Sequence, residues 1–137
     1  MIPCIFCQPE LLQPDIFFED EFLYALLSKD PVSHGHSVIT TKHHYTTLED
    51  IPSKEVLHLF STLPKIAKKI LYATDTRDYN VIINAGTAAG QRIPHLHIHI
   101  IPRNKGDGIR LHKPTPSKLI LKEKTSLLKR LRLAYRK

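Results

Sequence analysis

The segment Pro94-His95-Leu96-His97-Ile98-His99-Ile100-Ile101-Pro102 constrains the fold more than any other part of the chain. Polar and apolar residues alternate from His95 to Ile100, which is the two-residue period of an extended strand. Three imidazoles therefore share one face of the strand, while Leu96, Ile98 and Ile100 share the other, which has to be buried. We read His95 to Ile101 as a strand and Pro102 onward as loop, through Gly106 and Gly108 to Pro114.

The remaining pattern supplies partners for it. Phe17-Phe18 and Phe22-Leu23-Tyr24-Ala25-Leu26-Leu27 flank the acidic Glu19-Asp20-Glu21 and predict a hairpin. Ser37-Val38-Ile39-Thr40-Thr41 is rich in β-branched residues and predicts a strand, as does Tyr79 to Asn84. Between them, Val56, Leu57, Phe60, Leu63, Ile66, Ala67, Ile70 and Leu71 recur at spacings of three and four. That stripe predicts a helix from Ser53 to Tyr72. Pro64 lies inside it, removes one backbone donor and should kink it. A second helix is expected from Thr115 as N-cap and Pro116 at the first helical position. Its apolar residues Ile120, Leu127, Leu128, Leu131 and Tyr135 would dock on the body or on a partner copy. With 137 residues the chain fits one domain, and short antiparallel strands around one long helix give an α+β class.

Imidazole is costly to bury without a partner, and its charge changes near neutral pH. On a strand, H-x-H-x-H has three readings: three metal ligands, nucleophilic and acid–base chemistry, or a structural cluster. The preceding loop, Asn84-Ala85-Gly86-Thr87-Ala88-Ala89-Gly90-Gln91, adds glycines that let a ligand approach the backbone. Its two neutral amides, Asn84 and Gln91, suit a phosphate or nucleotide.

Gly86-x-x-x-Gly90-Gln91-x-x-x-His95-Leu96-His97-Ile98-His99-Ile100-Ile101-Pro102-Arg103 resembles the signature of the histidine-triad (HIT) family of nucleotide hydrolases and transferases. Cys4-Ile5-Phe6-Cys7, Gly35-His36-Ser37-Val38-Ile39 and Lys42-His43-His44 are similar to three further family motifs. The resemblance spans roughly residues 4–108, and it implies a five-stranded antiparallel sheet, with one long helix, in a homodimer. It also implies hydrolysis at the α-phosphate of dinucleoside polyphosphates or other adenylylated substrates. His97 would be the nucleophile, forming a nucleotidyl-histidine that water then cleaves. His99 would hold the phosphate oxygens. Asn84, Gln91 and Gly90 would place the phosphates, and His36 would orient or protonate the leaving group. No catalytic metal is needed for that scheme. Ser28 falls where the family's ribose-binding Asp or Asn usually stands, and His34 where proline is common. Pro102-Arg103 with the following Gly106-Asp107 resembles the dinucleoside-polyphosphate branch, in which Arg103 or Lys105 would reach distal phosphates.

Cys4-x-x-Cys7 offers two thiolates at metal-ligand spacing, and a tetrahedral site needs two more ligands. The resemblance to bacterial members implies His44 and His95 as those ligands, closing a structural Zn2+ site, with His43 as the rival of His44. A reduced, metal-free pair or a redox C-x-x-C remain the other readings. His58, on the long helix, is expected to face solvent or a polar neighbour, and His112 to lie in the tail loop.

Charge divides the chain. Residues 1–102 carry 8 basic and 11 acidic side chains, whereas residues 103–137 carry 12 basic and 2 acidic, for a net +7. The extent of the resemblance divides the chain into a domain at 1–108 and a basic extension at 109–137, the latter a candidate surface for RNA or an anionic surface. No apolar run approaches the roughly 20 residues of a membrane helix. No basic segment leads into an apolar one at the N-terminus, so the cytoplasm is the expected location. Three function classes stay open: a HIT-type hydrolase, a nucleotide-binding module without turnover, and a hydrolase with one catalytic ion on His95, His97 and His99.

Overall fold

The acidic turn closes the first hairpin through its own side chain. In a computed structural model, which describes residues 4–111 and 121–134, β1 (Ile16–Glu19) pairs antiparallel with β2 (Leu23–Leu27). Asp20 Oδ1 accepts the N–H groups of Phe22 and Leu23 at 2.9 Å each, and its Oδ2 meets His58 Nε2 at 2.7 Å. His58 thus faces a polar neighbour, as its sequence position implies.

β3 (Ser37–Thr41) returns along β2. The long helix α2 (Ser53–Thr74) then leads to β4 (Asp78–Ile83) and β5 (His97–Arg103). Together they make a five-stranded, all-antiparallel sheet in the order β1-β2-β3-β5-β4. The triad strand sits between β3 and β4, with Thr40 opposite His97, Val38 opposite His99 and Ile82 also opposite His99.

Each face of the sheet has its own core. On one, Leu23, Ala25, Ile39, Leu96, Ile98 and Ile100 meet Leu59, Leu63, Ile66, Ala67 and Ile70 of α2. On the other, Phe6, Leu12, Tyr24, Leu26 and Val38 cluster beneath the N-terminal segment, which holds the short helix α1 (Pro9–Leu12). The first turn therefore packs against the His95 and His97 part of the histidine face, and the alternation read from the sequence decides which side each residue takes.

Several boundaries differ from the pattern. β5 begins at His97, because Leu96 N–H bonds to Tyr45 O at 2.6 Å and so leaves the ladder to anchor a neighbouring loop. The strand also runs through Pro102 to Arg103. β3 ends at Ser37 opposite Ile100, so Pro102 pairs with β4 alone, at Tyr79, where a missing N–H is tolerated. α2 extends to Thr74 and ends in a left-handed Asp75. It runs through Pro64. Its buried stripe includes Leu59, at 1% exposure, whereas Leu57 and Phe60 face solvent at 72% and 44%. The sequence stripe chose the wrong neighbours because Leu57, Leu59 and Phe60 are adjacent, so either set extends the three-and-four spacing.

The tail contains helix α3 (Leu121–Ala134). The expected start at Thr115 and Pro116, and Ile120, Tyr135 and His112, lie outside the described residues. Leu127, Leu128 and Leu131 are exposed, so this face of α3 is not docked on the described body.

Candidate active site and metal centre

The turn Ile5–Cys7 puts two thiols on one side of the chain. Cys7 N–H donates to Cys4 O at 3.0 Å and Gln8 N–H to Ile5 O at 3.1 Å. Cys4 Sγ then lies 3.3 Å from His95 Nδ1, Cys7 Sγ lies 3.6 Å from the same nitrogen, and Cys7 Sγ lies 3.3 Å from His44 Nδ1. The four ligand atoms lie within 4.8 Å of one another. A tetrahedral zinc site with Zn–S of ~2.3 Å and Zn–N of ~2.0–2.1 Å needs S···N separations of roughly 3.5 Å. The donor set and the spacing fit such an ion.

The second ring nitrogen of His95 supports the same reading. Its Nε2–H donates to Thr41 O at 2.8 Å, which fixes the tautomer and leaves the Nδ1 lone pair aimed at the sulfurs. The ring is fully buried, and burial, together with His44 and His97 nearby, pushes it down to about 4, so it is neutral and able to ligate. Partial burial and the adjacent Cys4 push the Cys7 thiol up, a penalty that a cation accepting both thiolates removes. His43, the rival ligand, turns away: it is exposed, and its Nδ1 lies 3.7 Å from Glu55 Oε1.

The loop carrying His44 is tied down at several points. Thr41 Oγ1 donates to His43 O at 2.8 Å, Leu96 N–H to Tyr45 O, and Tyr45 Oη–H to Glu55 Oε1 at 3.1 Å. Sequence reasoning missed Thr41, Tyr45 and Glu55, since backbone carbonyls and loop anchors leave no motif.

With His95 committed to the cysteines, the three triad rings do not converge on one point. Among the described residues, His97 and His99 are not part of a cluster that could hold a metal. His97 Nδ1 instead lies 2.7 Å from His95 O. A carbonyl only accepts, so Nδ1 carries a proton and, in the neutral ring, Nε2 keeps the lone pair.

His36 and His99 form a second chain. Val32 N–H donates to His36 Nδ1 at 3.2 Å, so the proton of that ring sits on Nε2, which faces His99 Nδ1 at 3.0 Å. His99 Nδ1 accepts, and its own proton is left on Nε2. Burial lowers His36, and burial together with His97 and His36 pushes His99 down to about 4, so both rings are neutral near pH 7. The His97 and His99 ring centroids lie 5.0 Å apart. The arrangement offers a lone pair and an N–H donor side by side, which is what attack on a charged, tetrahedral centre uses.

The structure brings Gly35 to this site for a steric reason. It has φ +84°, and a Cβ there would run into the Thr74 methyl at the end of α2. Ser28 lies at the end of β2, where its N–H donates to His36 O at 2.9 Å. Asn84 is half-buried beside Gly90, which closes the 3-10 turn Thr87–Ala89 at φ +88°. Its amide makes no hydrogen bond to a described residue.

Gln91 is buried and its amide braces the loop: Oε1 accepts Gly86 N–H at 2.8 Å, and Nε2 donates one of its two N–H groups to Thr46 O at 2.7 Å. Arg103 is committed, with Asp107 at 2.8 and 3.0 Å, Asn80 Oδ1 at 2.7 Å and Ile109 O at 2.8 Å. Arg103 holds the Asp107 carboxyl well below the usual carboxylate range. Lys105 is exposed and is the remaining candidate for distal phosphates.

Comparison with known proteins places these features in context. Residues 12–106 match the HIT domain model. The chain is 41% identical over 108 residues to the Arabidopsis thaliana adenylylsulfatase HINT3, covering 76% of this chain and 54% of that protein. It is 36% identical to the Saccharomyces cerevisiae adenosine 5'-monophosphoramidase HNT1, over 73% of this chain and 62% of the relative. A bis(5'-adenosyl)-triphosphatase of the same yeast is 35% identical over 69% of this chain and 47% of its own length. The chain thus spans about half to three-fifths of these curated relatives. The crystal structure of a HIT-family member from Bacillus subtilis superposes with a TM-score of 0.82 at 29% identity, covering 95% of both chains.

Proposed function

The chain belongs to the HIT domain family, and from that premise we propose that it is a nucleotide hydrolase acting at the α-phosphate of adenylylated substrates, dinucleoside polyphosphates among them. The observation that carries the reading is the bond from His97 Nδ1–H to His95 O, which leaves Nε2 as a lone pair beside the His99 donor. The three relatives bear names that share an adenosine or adenylyl group and differ in what leaves it.

In the first step His97 Nε2 attacks the α-phosphorus. A P–N bond forms and the bond to the leaving group breaks, with its electron pair going to that group. His99 Nε2–H donates to a phosphate oxygen as charge builds there. In the second step water attacks the same phosphorus, the P–N bond breaks, and the nucleoside monophosphate leaves. Splitting the displacement replaces one difficult step with two easier ones. Asn84 and the Gly90 turn lie beside the phosphates, and Ser28 contacts the ribose. His36 acts through His99.

The engagement of Arg103 favours a second reading within the same chemistry, a phosphoramidase whose small leaving group needs no distal cation. Turnover of diadenosine tetraphosphate and adenosine phosphoramidate, side by side, decides between them. Wild type should release AMP from the better substrate, and His97→Ala should not. Nucleotide binding without turnover of either substrate would make the protein a binding module.

The remaining assignments belong to the same proposal. The metal is Zn2+, held by Cys4, Cys7, His44 and His95, where it would cross-link the N-terminal turn to the sheet. The thiol pair needs reducing conditions for that, which suits the cytoplasm. Among the described residues no helix is long and apolar enough to cross a membrane. A homodimer would cover the open edge of β4, where Tyr79 and Val81 are exposed. Residues 1–108 form the domain. The basic extension at 109–137 presents Lys122, Lys124, Lys129, Arg130 and Arg132 on the exposed α3, a surface for RNA or an anionic layer.

A further inference from the structure

Phe6 lies between the two thiols and against the proposed nucleophile. Its ring centroid is 5.3 Å from that of His97, tilted by 43°, and 5.6 Å from that of His95, nearly perpendicular at 72°. It is 7% exposed. The His99 ring also packs against His97, 5.0 Å away at 77°. The hydrogen bond to His95 O fixes only one edge of the His97 ring and still permits a tilt about that bond. The two neighbouring rings stop the tilt.

We propose that Phe6 is a positioning residue for His97, and that closing Cys4, Cys7, His44 and His95 on a metal is what seats it. This rests on the nucleophile role proposed for His97. The turn is short. With both sulfurs fixed, the two residues between them have little freedom, and Phe6 is one of these. Without a metal the two sulfurs meet the histidines through thiol–imidazole contacts of 3.3 to 3.6 Å, and thiols are weak donors. The ligand His95 adds a second link, since the same residue supplies the carbonyl that orients His97 Nδ1. Metal occupancy therefore reaches the nucleophile by two routes, a ring face and a carbonyl, without any contact to substrate.

The test uses the full chain, loaded with Zn2+ or stripped by a chelator, with long-range proton–nitrogen spectra of the imidazoles recorded at about pH 8, above the ordinary histidine range. Zinc-loaded wild type should show His97 as a single Nδ1–H tautomer. Phe6→Ala, still carrying one zinc per chain, should show averaged His97 signals and a kcat lower by about tenfold to a hundredfold, with KM within about twofold. Phe6→Leu, which restores an apolar contact, should recover most of both, and its measurement stands if the alanine variant does not fold. Stripping wild type should give the same averaged signal, and stripping Phe6→Ala should add little. A zinc-loaded Phe6→Ala that keeps the single tautomer would overturn the proposal. So would an effect confined to KM, which would make Phe6 a contact for the nucleotide. If wild type turns over no substrate, the hydrolase reading falls, and the spectra still decide whether Phe6 positions His97.

Discussion

The proton between His36 Nε2 and His99 Nδ1, 3.0 Å apart, belongs to His36, because Val32 N–H already occupies the other nitrogen of that ring. Both nitrogens of His36 are thus committed. In the proposed reaction its effect on chemistry passes through the direction in which His99 donates.

Removing that constraint frees His99 to change tautomer and to turn a lone pair, not an N–H, toward the phosphate. His36→Ala should lower kcat by about tenfold with a smaller change in KM, as loss of one oriented donor does. His36→Gln places an amide N–H near the same point and should recover part of the loss. Steady-state kinetics on the better substrate checks this, and a wild-type kcat in His36→Ala would contradict it.

The proposed zinc site separates two adjacent histidines. His44 Nδ1 faces Cys7 Sγ, whereas His43 is exposed and faces Glu55. His44→Ala and Cys7→Ser should therefore lose bound zinc and melt at lower temperature, and His43→Ala should keep one zinc per chain. Metal quantitation after gel filtration reads both, and zinc lost from His43→Ala alone would reassign the ligand.

Much of this site was legible because alternation is a strong signal. His95, His97 and His99 at a two-residue period, with Ile98 and Ile100 between them, left no choice of face. The choice between His43 and His44 could not be made by counting, since both are exposed and only the loop path, with Thr41 Oγ1 holding His43 O, shows which ring meets Cys7. The loop braces made by Gln91 and Arg103 were invisible for a related reason. Composition shows that an amide or a guanidinium is present, but not that Thr46 O, Gly86 N–H and Asp107 hydrogen-bond to it. The strand ran past Pro102 because β3 ends earlier than β4, a register fact that no local pattern contains.

Burial of neutral histidines makes stability depend on acid. His95 and His99 lie at about 4 in the folded chain, and His36 is also lowered, against an unfolded value of ~6.5. Between these limits the unfolded chain binds more protons than the folded one, so stability rises with pH across the window and is lost as pH falls from ~6.5 toward 4. The urea midpoint should drop between about pH 7 and 5, and it should drop less in a His36→Gln/His99→Gln variant. Equal slopes in the two proteins would remove His36 and His99 as the cause.

The reassigned helix stripe has a simple test. Leu59 is buried against the sheet, and Leu57, two residues away, is exposed. Leu59→Ala should cost ~2–5 kcal/mol, the range for emptying a buried leucine site. Leu57→Ala should stay within ~0.5 kcal/mol, as surface changes do. Denaturant titration of the two variants measures both, and comparable losses would restore the stripe read from spacing.

Arg103 distinguishes a loop brace from a phosphate contact. It ties the end of β5 to Asp107, Ile109 O and, across the ladder, Asn80 on β4, while Asp107 accepts the N–H groups of Asn104 and Ile109. If these bonds are its role, Arg103→Ala should lower the melting temperature and change the KM for diadenosine tetraphosphate and for adenosine phosphoramidate by the same factor. Asp107→Asn should resemble it, because the bidentate pairing fails from either side. A distal-phosphate contact predicts the opposite pattern, with KM rising for the tetraphosphate alone and Asp107→Asn leaving KM unchanged. Lys105→Ala supplies the contrast. Exposed and outside the brace, it should leave the melting temperature where it is, and it should raise KM only for the longer substrate if any side chain of this loop reaches the far phosphates.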